Sequence, residues 1–123
     1  MRRLSKQAGM GQVAVMVGLM AALVLLPFLT STALAGGNKH VHEAIEHAEE
    51  AVEHGEAGHP DQIVKHAQVA LQHAQAAQKE VSNPHLNEGV KELEGAIEHG
   101  KAGHADVATK HAKSAVMHMK EVR

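Results

Sequence analysis

The sequence predicts an all-α fold, an up-down-up-down four-helix bundle made of two duplicated helical hairpins. Three observations lead there. Apolar residues recur at heptad a, d and e spacing through four successive segments. The chain matches itself when shifted by 45 residues, which marks two copies of one structural unit. Short Gly-x-x-Gly turns join the segments of each copy, and short turns make neighbouring helices antiparallel. Nothing alternates with period two, so strands are not expected.

The start of the chain reads differently. Arg2, Arg3 and Lys6 precede an apolar run over residues 13–29, and Ala33-Leu34-Ala35 supplies a small-x-small cleavage signal. Residues 1–35 are therefore predicted to be a secretory signal peptide. An uncleaved anchor is the alternative, because the run is nearly long enough to span a membrane. The polar Thr30-Ser31-Thr32 lead-in and the Ala-Leu-Ala site favour cleavage. The remaining residues, 36–123, make one small domain. With no cysteine in the chain, disulfides and a lipoprotein anchor are excluded. The domain holds all 14 acidic residues but only nine of the 12 basic ones, a formal charge of −5 with neutral histidines. That balance argues against nucleic acid as a partner and suits attraction of cations. No stable membrane association is expected once the signal is removed. The only residue of the Phe/Trp/Tyr set, Phe28, goes with the signal. The core must be built from Ala, Val, Ile, Leu and Met. It buries little area per residue, so marginal stability is expected without a ligand.

The first repeat covers about residues 40–81 and the second about 85–122. The first helix carries Val41, Ala44, Ile45, Ala48, Ala51 and Val52 on one face. Gly55 and its counterpart Gly100 suit the C′ position that ends a helix. Pro60 fits the first turn of the second helix, and Asp61 beside it suits the positive end of the dipole. That helix places Ile63, Val64, Ala67, Ala70, Leu71, Ala74 and Ala77 inward. Ser82-Asn83-Pro84 separates the repeats. The third helix has Leu86, Val90, Leu93, Ala96 and Ile97, and the fourth Ala105, Ala108, Ala112, Ala115, Val116, Met119 and Val122.

All 12 histidines fall in the bundle, and most are seven residues apart. His40, His47 and His54 occupy heptad g positions of the first helix; His59, His66 and His73 occupy those of the second. In an antiparallel hairpin the turn sets the register, pairing His54 with His59, His47 with His66 and His40 with His73. The second repeat pairs His99 with His104, Glu92 with His111 and His85 with His118. The prediction is two ladders of three rungs, with rungs about 10 Å apart from seven residues of helical rise. Glu43, Glu50 and Glu88 follow His40, His47 and His85 by three residues, on the same stripe. A rung can thus offer two imidazoles and a carboxylate oxygen. Imidazole and carboxylate without thiolate suit Cu(II), Ni(II) and Zn(II), and affinity rises to copper within this series. Cu(I) prefers sulfur, which only Met117 and Met119 beside His118 could supply, and Met119 fits the core pattern. His42 falls outside the register, and a solvated polar role is open for it. Glu92, standing where a histidine is expected, makes its rung the odd one.

Two other functions come under consideration. A histidine ladder could sense pH, since protonation near pH 6 lines up like charges, and the bundle would then act in pH-dependent interaction or stress. An enzyme is the weaker option. Ferritin-like di-iron sites need Glu-x-x-His facing the core, and the only such spacing here, Glu56 to His59, is in a turn. There is no haem attachment motif and no thiol nucleophile. The protein is expected not to be an enzyme.

These residues resemble the small metal-binding proteins (SmbP) of the bacterial periplasm. The similar elements are the signal peptide, His47-Ala48-Glu49-Glu50-Ala51-Val52-Glu53-His54-Gly55, the Gly-x-x-Gly-His turns, and Val107-Ala108-Thr109-Lys110-His111-Ala112. The likeness covers essentially all of residues 36–123. It implies a monomeric four-helix bundle, open and partly flexible, that binds several divalent metals in the periplasm with copper favoured. The implied role is metal buffering, sequestration or delivery, with a delivery partner that the sequence does not specify. The repeat histidines carry over as ligands; Glu92 and His42 do not.

Overall fold

Four helices account for nearly all of the described residues, 36–123, in a computed structural model of the chain. They are α1 (Gly36–Glu56), α2 (Pro60–Gln78), α3 (Pro84–Lys101) and α4 (Ala105–Lys120). The predicted signal peptide, residues 1–35, lies outside the described residues. Each helix packs on its two neighbours in an α1-α2-α3-α4 ring, and α2 and α4 also touch across the diagonal. This is the expected four-helix bundle. No described helix is long and apolar enough to cross a membrane.

Local chemistry fixes the helix starts. Pro60 and Pro84 open α2 and α3, where the missing N–H costs nothing. The Asn83 side chain accepts a hydrogen bond from the His85 amide at 2.8 Å, capping α3. Asp61 and Asp106 sit in the first turns of α2 and α4, favoured by the helix dipole.

The turns differ from expectation in one respect. Gly55 and Gly100 belong to the helices. The left-handed residues are Gly58 (φ 77°) and Gly103 (φ 81°). The His59 amide donates to the His54 carbonyl at 2.9 Å, and the Gly58 amide to the Gly55 carbonyl at 3.0 Å. These two bonds define a Schellman motif with Gly58 at C′. The second hairpin repeats them, His104 to His99 at 2.9 Å and Gly103 to Gly100 at 3.0 Å. The motif itself brings its two flanking histidines together. Gly58→Ala should therefore cost about 1–2 kcal/mol from left-handed backbone alone, since no neighbour obstructs a Cβ there. A thermal melt of that variant checks the value.

Gly55 and Gly100 serve packing instead. A Cβ on Gly55 would overlap the Thr109 side chain, whose Oγ1 donates to the Ala105 carbonyl at 2.6 Å. A Cβ on Gly100 would lie 2.7 Å from Val64 Cγ2. Val64 and Thr109 are counterparts in the repeat, so the two hairpins dock through equivalent close approaches.

The core is an alanine seam with a few large residues set in it. Ala44, Ala48, Ala51, Ala67, Ala70, Ala74 and Ala77 are all fully buried in the first hairpin. The second hairpin exchanges volumes between positions: Leu93 stands where the first has Ala48, and Ala108 where it has Ile63. Met119 replaces Ala74, and Gly89, in place of Ala44, gives it room; a Cβ at Gly89 would lie 2.7 Å from Met119 Cγ. Ile45, Val52, Leu71 and Ile97, expected in the core, pack against its rim and are only partly buried. Small a and d residues draw the helices close and leave these four e residues at the edge, while Val90 and Val116 at the same position stay buried.

Candidate metal centre

The same seam positions the histidines. Small alanine side chains at a and d let α1 and α2 pack closely, so g-position imidazoles from both helices meet over the seam. All six rungs of the register are present. The ring centroids are 5.7 Å apart for His40–His73, 6.2 Å for His47–His66 and 6.3 Å for His54–His59. In the second hairpin they are 5.9 Å apart for both His85–His118 and His99–His104. His111 Nδ1 lies 2.8 Å from Glu92 Oε2.

The rungs are not isolated steps. His47 stacks on His73 at 5.8 Å, His54 on His66 at 4.9 Å, and His99 on His111 at 5.2 Å. Side chains on a helix lean toward its N-terminus. In an antiparallel pair, α1 side chains therefore lean away from the turn and α2 side chains toward it. His47 is carried toward His73, and His66 toward His54. The six imidazoles of the first hairpin form one zigzag column, whereas Glu92 interrupts the column in the second.

Among the described residues, two places bring three donors together. His40, Glu43 and His73 form one group, and His47, Glu50 and His66 the other, with ligand atoms all within 4.8 Å of one another. In the first, Glu43 Oε2 is 3.3 Å from His40 Nδ1 and 3.0 Å from His73 Nδ1, and the two nitrogens are 3.4 Å apart. Ligand bonds of about 2.0–2.1 Å at angles between 90° and tetrahedral require donors about 2.9–3.4 Å apart. The Glu43 group already has that spacing. In the second group Glu50 Oε2 lies 2.7 Å from His47 Nδ1 and 2.8 Å from His66 Nδ1. These are charge-assisted hydrogen-bond distances, which an ion would open by a few tenths of an ångström. The hydrogen bond from His47, followed by that residue's charge and the hydrogen bond from His66, holds the Glu50 carboxyl below the usual carboxylate range.

The remaining candidates sit as follows. Near the turn, His54, His59 and His66 are in ring contact, and the stripe there has no carboxylate at the spacing of Glu43 and Glu50. Glu88 does not face its imidazole pair as Glu43 does; its Oε1 is 2.8 Å from Lys91 Nζ. Met119 is fully buried and Met117 is exposed, so the two sulfurs do not share a site with His118. His42 pairs with Glu46 at 3.3 Å on the solvent face, away from the ladder. Lys91 and Gly95 carry consequences that the heptad pattern does not reveal. In the repeat they stand where the first hairpin has Glu46 and Glu50.

Facing histidine stripes bridged by carboxylates, on a four-helix frame, define a metal-binding helical bundle. The chain belongs to a corresponding family: the model described as small metal-binding protein matches residues 13–122. Among curated proteins, none matches the chain.

Proposed function

We propose that the protein binds divalent transition metals in the periplasm, copper in preference to nickel and zinc, and buffers, sequesters or delivers them. In this reading it is a monomeric binder and not an enzyme. The observation that carries it is the Glu50 group, one carboxylate oxygen 2.7 and 2.8 Å from imidazole nitrogens on two different helices. A cation replacing the protons there gains two neutral nitrogens and an anionic oxygen without rearrangement of the backbone. Copper is favoured because nitrogen and oxygen donors follow the general rise in affinity toward Cu(II). The periplasmic location rests on the signal pattern of residues 1–35. Binding displaces protons from imidazole, so metal should be released as the pH falls through the histidine range.

Native mass spectrometry with Cu(II), Ni(II) and Zn(II) tests the reading. Retention of several ions at low micromolar metal is the expected result, and no retained ion would overturn it. Pairing is tested by His47→Ala. That change removes one of the three donors, so it should weaken the site at His66 by more than the roughly 10- to 100-fold that loss of an outer-shell partner costs, and affect the neighbourhood of His111 far less. Equal losses in both hairpins would contradict the paired arrangement.

A further inference from the structure

We propose that the two hairpins load metal unequally, and that Lys91 sets the difference by holding the Glu88 carboxylate away from the His85–His118 imidazole pair. The inference rests on the metal-binding reading above and concerns which sites fill first.

The repeat places His85, Glu88 and His118 on His40, Glu43 and His73. The imidazole pairs are nearly the same in both. Ring centroids are 5.7 Å apart and tilted by 32° in the first hairpin, 5.9 Å and 31° in the second. The carboxylates are not the same. Glu43 Oε2 sits 3.0–3.3 Å from both nitrogens of its pair, while Glu88 Oε1 is engaged by Lys91 Nζ at 2.8 Å. The counterpart of Lys91 is Glu46, which turns to His42 on the solvent face; the lysine near Glu43 is Lys39, whose Nζ is 3.9 Å from Oε1 and leaves Oε2 to the two imidazoles. An ion approaching His85 and His118 competes with Lys91 for the Glu88 carboxylate and meets a like-charged ammonium beside the site.

The next rung differs in the same sense. Glu92 and Gly95 replace His47 and Glu50, leaving one imidazole, His111, bonded to one carboxylate at 2.8 Å. The His111 ring lies in the space a side chain at residue 95 would take, its Nδ1 2.9 Å from where a Cβ would be. Among the described residues, both three-donor groups consequently lie in the first hairpin. Duplication has yielded one hairpin with assembled sites and one whose equivalent site is restrained by a lysine.

Lys91 is an exposed residue, its side chain 67% accessible, so replacing it does not threaten the core. Titrating the protein with Cu(II) while following histidine and amide resonances by NMR locates each ion through paramagnetic broadening. Signals of His40, His47, His66 and His73 should broaden at the first equivalents, before those of His85 and His118. In Lys91→Ala, and more so in Lys91→Glu, affinity at His85 and His118 should rise about tenfold, the scale on which partners of metal ligands act, and the order of filling should converge. Simultaneous broadening of both hairpins in the unaltered protein would overturn the proposal. So would an unchanged gap in both Lys91 variants. Failure of the unaltered protein to take up any Cu(II) would instead overturn the metal-binding reading itself, and this inference with it.

Discussion

Leu93→Ala will unfold a large share of the metal-free protein at room temperature. Leu93 is fully buried, and among the described residues only Ile63, Leu86 and Met119 stand with it as the largest side chains wholly inside. The rest of the seam is mainly alanine, which has almost nothing with which to fill a void. Removing a buried leucine costs about 2–5 kcal/mol, the upper part of that range applying where the surroundings cannot collapse. A domain of this size is stable by about 4–13 kcal/mol, and an alanine core belongs near the lower end. The substitution therefore removes much of the total. Far-UV circular dichroism against urea should show a midpoint shifted strongly downward. Ile45→Ala, at the partly buried rim, should shift it far less. Equal shifts for the two variants would mean that the core does not depend on its few large residues.

Adding Cu(II) should raise the melting temperature by about 10–20 °C for each site held near a hundredfold excess over its dissociation constant. The ligands of the Glu43 and Glu50 groups come from α1 and α2 together, so they converge only when the hairpin is folded. Binding to the folded state alone adds about 2.7 kcal/mol at that excess. In a domain of this length each kcal/mol is worth about 4–8 °C. Glu50→Gln should reduce the gain, because the amide has no charge to offer and the two imidazoles remain. Cu(II) should also refold Leu93→Ala, since Leu93 is on α3 and both three-donor groups are on the other hairpin. A melting temperature indifferent to Cu(II) would sever the link between metal and fold.

The heptad pattern and the repeat were sufficient to anticipate the helices, the antiparallel register and which g-position residues face each other, because periodicity and turn length determine these directly. Finer features depended on quantities that a periodic pattern does not carry. The helix-ending role passed from Gly55 to Gly58, since both satisfy the sequence rule and only the close approach of Thr109 reserves Gly55 for packing. The diagonal stacking of His47 on His73 follows from the lean of side chains along each helix, which a rung diagram omits. The engagement of Glu88 by Lys91 is a choice between two partners on the same helical face, decided by side-chain conformation. The position of Ile45, Val52, Leu71 and Ile97 at the rim follows from how tightly alanine lets helices pack.

The ladder runs along the edge of the bundle and not through its centre. His40, His47, His66 and His73 keep 34%, 34%, 27% and 29% of their side-chain surface open to water. An ion held there would stay open to solvent on one side. An incoming ligand from another molecule can enter the coordination shell while the protein ligands leave one at a time, and no helix has to move. The lifetime of the bound ion is then governed by ligand exchange at the metal and not by opening of the fold. In the proposed metal-binding role, that exposure would let a stronger acceptor take the ion from the folded protein.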